Sequence, residues 1–230
     1  MDILPFKAPH STAPVLDPIA EAHHRIANSL ALLVSTVRMQ TVTVRKKAEP
    51  FSNAEVRHLL DGIAARIGTM GQLHRILSRT SCDGVVSLGP HLKEVTDTLV
   101  AALASQEQQV RVTHCSSDCL VEMRQIQPMV LILCEIFINA MKYAHPAGVP
   151  LIMTVECASG ADGRLVLSIS DDGVGLAENF DPKKSHGIGF KVMHSLAAEL
   201  GGELQMQSTQ LGLTFRLSLP AAAMPGAKLA

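Results

Sequence analysis

The chain has no tryptophan and a single tyrosine, Tyr143, among its 230 residues. That leaves little with which to stack nucleobases on aromatic rings, so a nucleic-acid surface of that kind is excluded. A charge surplus is also missing. Twenty Lys and Arg stand against 21 Asp and Glu, for a formal net charge of −1, and bulk charge does not draw such a chain to a polyanion. No nucleic-acid partner is expected. Long apolar runs are absent too: the best, Met129–Cys134, stops at Glu135, far short of the roughly 20 residues of a membrane span. The N-terminal stretch MDILPFKAPHSTAPVLDP has an early acid and repeated prolines, unlike a signal or transit peptide. These features predict a soluble, cytoplasmic protein with no membrane contact. The five cysteines (Cys82, Cys115, Cys119, Cys134, Cys157) are scattered and odd in number, which fits free thiols in a reducing compartment better than a disulfide framework. His114, Cys115 and Cys119 lack a second matching pair, so strand and loop thiols are the better reading than a metal site.

What is present divides into two halves. Residues 1–16 read as a flexible arm. Asp17 followed by Pro18 reads as a helix start, and Ile19, Ala22, Ile26, Leu30, Leu33 and Val37 form the stripe of an amphipathic helix to about residue 45. Residues 46–52 break it. Ser52 and Glu55 have the spacing of a capping box, and after them Val56, Leu60, Ile63, Ile67, Met70, His74 and Leu77 alternate steps of four and three, the seam of a helical bundle. Two such helices make an antiparallel hairpin over 17–82, and its long seam predicts pairing with a second hairpin into a four-helix bundle. From 83 to 222 the pattern is mixed. Helices are predicted at about 90–104, 126–143 and 188–200. Strands are read in QVRVTH, CLVEM, LIMTVEC, LVLSISD, ELQMQS and LTFRLSLP. Gly201-Gly202 reads as a helix stop. The fold class is α+β: a helical hairpin, then a two-layer α/β sandwich with helices on one face. Residues 223–230 read as a flexible tail.

Three short segments of the second half can carry chemistry. In CEIFINAMKYAHP, Glu135, Asn139 and Lys142 fall at i, i+4 and i+7 on one helix face. A carboxylate, an amide oxygen and a cation there suit a hydrated Mg²⁺ and neighbouring phosphates, although a polar stripe on a half-buried helix is commonplace. In SISDDGVGL a strand runs into Asp171, Gly173 and Gly175. The carboxylate can accept a hydrogen bond from an exocyclic amine such as adenine's, and the glycines let backbone pass close to a ring; a plain turn is the competing reading. In KKSHGIGF, Gly187 and Gly189 open a helix whose N–H groups can bind phosphate, with Lys183 and Lys184 just before it. Upstream, EAHHRIANSL places His23 beside the seam and His24 on the outer helix face. An exposed imidazole is usually inert, but it is also what a phosphoryl-accepting nucleophile requires. His74 falls within its own seam and reads as a core or interface histidine.

These segments, in this order, resemble the N box and the two glycine boxes of the GHKL (Bergerat) ATPase superfamily. HHRIANSL resembles the H box of the histidine kinase subfamily in which arginine follows the phosphorylated histidine. RIGTMGQLHRILSRT and NFDPKKSHGIGFKVMHSLAAELGGEL resemble the same subfamily, so the likeness spans residues 17 to 220. The resemblance implies that His24 accepts the phosphoryl group, Asn139 holds Mg²⁺, Asp171 contacts adenine, and residues between Gly175 and Gly187 form a short ATP lid. It also implies ATP as substrate, an aspartate of a response regulator receiver domain as acceptor, and a homodimer through the hairpin. Asn28, four residues after His24, matches the offset at which many such kinases carry an amide or hydroxyl used in regulator dephosphorylation. Candidate catalytic residues are thus His24, Asn28 and Glu135. Candidate nucleotide-binding residues are Asn139, Lys142, Asp171, Gly173, Gly175, Lys184, Gly187 and Gly189.

Arg25 departs from the acid that directly follows the histidine in commoner kinases, and Glu21, one turn earlier, is a weak substitute. The absence of tryptophan excludes a related subgroup with a Trp-x-Glu signature. No sensor domain is read in the sequence, so a separate sensor protein is a candidate source of input. Two other functions compete. A phosphotransferase relay with a degenerate ATP domain would have no use for the retained asparagine, aspartate and glycines, and an anti-sigma-like binding module would have no use for the hairpin.

Overall fold

The computed structural model describes residues 49–79, 84–103, 109–117, 119–145, 149–160, 163–176 and 188–220, with scattered positions between 27 and 45. Those scattered positions, from Ala27 to Arg45, are helical. Helix α1 (Asn53–Arg79) follows, and its start is the expected capping box. The Ser52 N–H donates to Glu55 Oε2 at 2.9 Å, and the Glu55 N–H donates to Ser52 Oγ at 3.2 Å. Two of the helix's orphan donors are thereby satisfied.

A short strand β1 (Val85–Ser87) leads into α2 (Leu88–Leu103). Then come β2 (Val110–Ser116), β3 (Leu120–Glu122), α3 (Met123–Tyr143), β4 (Leu151–Ser159) and β5 (Leu165–Asp171). Helix α4 (Ile188–Glu199) and strands β6 (Glu203–Thr209) and β7 (Gly212–Leu219) complete the described chain. The main sheet has the order β2-β4-β5-β7-β6; β2 and β4 are parallel and the other pairs antiparallel. β1 and β3 form a separate antiparallel ribbon. The sequence reading lacks β1 because three residues are too few to show a period-2 pattern.

One face of the sheet is apolar. Leu151, Met153, Val155 and Cys157 of β4 and Leu165, Leu167 and Ile169 of β5 are buried, whereas Ile152 and Glu156 face out. Helix α3 is buried along nearly its whole length, from Ile126 to Ala140, and α4 adds Met193, Leu196 and Ala197. The result is the expected two-layer sandwich. By length and composition α3 could cross a membrane, but its apolar surface is the domain core, and each large side chain buried there contributes roughly 1.5–3 kcal/mol. Helix α4 ends where expected: the Gly202 N–H bonds Ala197 O at 2.9 Å, with Gly201 at φ 63°. This is the left-handed stop that satisfies terminal carbonyls.

One expectation is corrected and one is left open within a single chain. Most of the seam read on α1, a face expected to pair with a second hairpin, stays uncovered here: Leu60 and Ile67 are 57% and 55% exposed, and Val56 is exposed as well. The face that α1 buries is Gly62, Ala65, Arg66 and Thr69, with the seam residue Met70 at its border, centred roughly 120° round the helix from the seam. Small residues there let α1 approach α3 closely. The reading of all cysteines as free thiols is overturned, because Cys119 and Cys157 form a disulfide. The pairing joins the residue before β3 to the far end of β4, which no sequence spacing reveals. It also removes Cys119 from any metal site with Cys115, and among the described residues no cluster of three or more His, Cys, Asp or Glu could hold a metal.

Candidate functional site

The site forms where the C-terminal half of α3 meets the end of β5 and the start of α4. Helical spacing puts Glu135, Asn139 and Lys142 on one face of α3, as expected. Gly189, in the first turn of α4, lies against two of them. A methyl group at this glycine would come within 3.2 Å of Glu135 Oε2 and 3.4 Å of Asn139 Nδ2. The absent side chain keeps the space beside the carboxylate and the amide open.

On the other side, the backbone after β5 is knitted to its neighbours. The Val174 N–H bonds Ala144 O at 2.9 Å, and the Leu176 N–H bonds Ser208 Oγ at 2.8 Å. Gly175 sits at φ 70°, and a Cβ there would fall 2.1 Å from Thr209 O. Only glycine fits both the conformation and the contact. Asp171 Oδ1 accepts from the N–H groups of Gly173 (3.0 Å) and Leu213 (3.2 Å). Its second oxygen has no protein donor among the described residues, the arrangement needed to accept a ligand amine. Burial pushes the Asp171 carboxyl above its usual pKa, against the pull of those two N–H bonds.

The neighbouring Asp172 is shifted the other way. Partial burial raises it, but the Ile152 N–H at 2.9 Å and His145 Nε2 at 2.8 Å outweigh that, and its carboxyl lies below the ordinary value. The His145–Asp172 contact ties the residues after α3 to the loop after β5, and the sequence reading gave neither residue a role.

A second residue outside the sequence reading is Arg66 of α1. Its Nε donates to Glu135 Oε1 at 2.6 Å and its Nη2 to Glu135 Oε2 at 2.8 Å, while Nη1 bonds Gly62 O at 3.0 Å. Both side chains are under a tenth exposed, at 8% and 7%. Burial disfavours the guanidinium, yet its bonds to Glu135 outweigh this and raise its pKa. Removing one partner of such a pair strands a buried charge at a cost of about 3–5 kcal/mol. The Lys142 ammonium is lowered, first by burial and then by the Arg66 charge, with Glu135 opposing. A signal for Arg66 was present in the sequence: a lone arginine set among Gly62, Ala65 and Thr69, off the apolar seam. His24, Asn28, Lys184 and Gly187 lie outside the described residues, so of the candidate set the structure brings together Glu135, Asn139, Lys142 and Gly189, with Asp171, Gly173 and Gly175 at the end of β5.

Fold and site together define a GHKL-type ATPase domain behind a helical segment. Residues 125–223 match the family described as histidine kinase-, DNA gyrase B- and HSP90-like ATPase, and residues 21–103 match a family described as histidine kinase. The chain thus carries a histidine kinase segment followed by an ATPase domain of this class. Among curated relatives it is 27% identical over 197 residues to the sensor histidine kinase PdtaS of Mycobacterium tuberculosis, covering 84% of this chain and 37% of that protein. It is 21% identical over 206 residues to blue-light-activated histidine kinase 2 of Erythrobacter litoralis, covering 88% of this chain and 56% of that one. The chain therefore spans little more than a third to about half of these relatives' lengths. The histidine kinase domain of the Erythrobacter litoralis EL346 protein superposes with a TM-score of 0.64 at 20% identity, covering 88% of this chain and 93% of that domain.

Proposed function

We propose that this chain is an ATP-dependent histidine autokinase of two-component signalling. It phosphorylates itself on His24 and passes the phosphoryl group to an aspartate of a response regulator. The observation that carries this reading is the convergence on one site of Glu135, Asn139 and the open space at Gly189, beside an Asp171 with one oxygen lacking a protein donor. The donor set fits the substrate and its metal: a carboxylate and an amide oxygen suit a hard divalent cation, and Lys142 adds a charge for phosphate. Bound Mg²⁺ would supply charge neutralisation at the phosphates. The chain's own residues do the rest. Asp171 accepts from the adenine amine, Asn139 offers the metal ligand, and Lys142, Lys184 and the backbone at Gly187 and Gly189 orient the phosphates. As the imidazole nitrogen of His24 attacks, the N–P bond forms, the bond to the ADP oxygen breaks, and the imidazole proton leaves to water. Positioning and electrostatics are the main sources of rate.

The exposed apolar positions of α1 and of the preceding helical segment support a homodimer through the hairpin. Asn28 is assigned the water-orienting role in dephosphorylating the regulator, so Asn28→Ala should slow loss of the regulator's phosphate severalfold and leave autophosphorylation near wild type. A reaction that consumes ATP fits action in the cytoplasm, where ATP is supplied.

The test is incubation of the full chain with γ-labelled ATP and Mg²⁺. The label should be acid-labile and base-stable, should fall to background in His24→Ala and should persist in His23→Ala. Full labelling of His24→Ala would overturn the assignment, and no labelling of wild type would favour the relay.

A further inference from the structure

Helix α3 and the loop after β5 carry different parts of the candidate site, and the two meet at His145 and Asp172. Asn139 and Lys142 stand on α3, which ends at Tyr143, and His145 follows two residues later. Asp171 closes β5, and Asp172 comes directly after it. The Asp172 N–H bonds Ile152 O at 3.1 Å, and Asp172 Oδ1 accepts from the Ile152 N–H at 2.9 Å. Main chain and side chain together thus fix Asp172 to the start of β4. The same oxygen accepts from His145 Nε2 at 2.8 Å. An ionised carboxylate can only accept, so this ring nitrogen carries the proton. The contact is sheltered, with the His145 side chain 13% exposed.

Beside this pair the two backbones touch. A Cβ at Gly173 would fall 2.6 Å from both Cα and Cβ of Ala144, and the Val174 N–H bonds Ala144 O. Gly173 also donates its own N–H to Asp171 Oδ1. A shift of the residues after α3 is therefore passed through Gly173 to the carboxylate that faces the ligand. The His145–Asp172 bond adds a side-chain anchor to these backbone contacts. It also acts through charge. Burial is the main cause that raises the Asp171 carboxyl and the Asp172 charge adds to it, while the two N–H bonds and the His145 ring oppose them. His145 thereby helps to keep Asp171 ionised, the form that accepts from an amine.

We propose that His145 is a positioning residue for the nucleobase: by holding Asp172 it keeps the second oxygen of Asp171 aimed at an exocyclic amine and in register with Asn139 and Lys142. The inference rests on the ATP reading of the site and deepens it, because it names what aligns the base-facing part with the phosphate-facing part. Two elements grip the two ends of one ligand, and neither sets the spacing alone. A hydrogen bond weakens steeply when its length or angle departs from the optimum, so a slack loop loses the amine before it loses the phosphates.

Calorimetry of the full chain with ATP and with purine riboside triphosphate, which lacks the amine at C6, tests this with no need for phosphorylation. Wild type should prefer ATP by about ten- to a hundredfold, the worth of a charge-assisted hydrogen bond. His145→Ala should cut that preference to less than about threefold. His145→Gln, whose amide N–H can stand where Nε2–H does, should restore most of it, and Asp172→Asn, which keeps the accepting oxygen, should retain most of it. His145→Ala combined with Asp171→Asn should lose far less than the product of the two single losses. The ratio of affinities is internal to each protein, so incomplete folding lowers the stoichiometry and leaves the ratio alone. Equal weakening of both nucleotides in His145→Ala, with the preference intact, would overturn the positioning role, and so would losses that multiply in the double variant. Equal affinity of wild type for the two nucleotides would overturn it together with the adenine reading of Asp171.

Discussion

The two halves of the chain dispose of their apolar surface in different ways. The ATPase half closes on itself: the sheet's inner face lies against α3 and α4, and Phe137, Ile132 and Phe215 are sealed between them. The helical half does not close. Helix α1 spends its small-residue face on α3 and leaves Val56, Leu60 and Ile67 outside, and Leu30, Val34, Val37 and Val42 of the preceding segment are exposed with them. A period-3.5 seam left uncovered by one chain is an interface in waiting, whereas a period-2 strand face covered by helices is a finished core.

This contrast can be broken most forcefully by truncation. Phe137→Ala, at a fully buried site of α3, should destabilise the protein by about 3–5 kcal/mol at any protein concentration. Leu60→Ala should change the stability of the single chain by no more than about 0.5 kcal/mol and instead weaken self-association. Denaturant unfolding and sedimentation at several concentrations separate the two. A large, concentration-independent loss in Leu60→Ala would mean that the seam is buried within one chain after all.

The next effect sharpens the contrast inside the ATPase half. Asp171→Asn keeps an oxygen for the Gly173 and Leu213 N–H groups but offers the ligand a neutral acceptor in place of a charged one. ATP affinity should fall by about 1.5–3 kcal/mol, roughly ten- to a hundredfold. Because burial raises the Asp171 carboxyl, wild-type affinity should also decline on acidification at a higher pH than an ordinary carboxylate would dictate, and the substitution should flatten that dependence. Calorimetry across pH 4 to 7 checks both; unchanged affinity would point to the relay.

Much of this was legible in the sequence, and the parts that were not share a cause. The capping box at Ser52 and Glu55, the bounds of β5 and the glycine stop after α4 depend on neighbouring residues, and local chemistry reveals them. The common face of Glu135, Asn139 and Lys142 is likewise a matter of helical spacing. Arg66 on Glu135, Cys119 on Cys157 and His145 on Asp172 each join residues separated by tens of positions, and only the fold brings them together. The α1 seam shows a subtler limit. Apolar periodicity finds the face that seeks a large apolar partner, but it is blind to a face of glycine, alanine and threonine that packs by closeness.

The smallest expected effect separates two adjacent carboxylates. Burial raises Asp171 and leaves one of its oxygens without a protein donor; Asp172 is lowered because Ile152 and His145 already hold it. A group whose folded pKa is depressed contributes stability that is fully present above its unfolded pKa and is lost as pH falls through the folded value. Asp172→Asn should therefore lower Tm slightly at pH 7, with the deficit shrinking to nothing as the pH falls below that of an ordinary aspartate. Asp171→Asn should do the reverse. Its charge is penalised by burial, so removing it should leave Tm at pH 7 equal to or above wild type, even as ATP affinity drops. A site that sacrifices stability for a ligand behaves in this way. Thermal melts of the two variants from pH 3 to 7 read the signs directly. If Asp171→Asn proved the more destabilised at neutral pH, its carboxylate would be holding the loop together, and Asp172 would become the better candidate for the nucleotide.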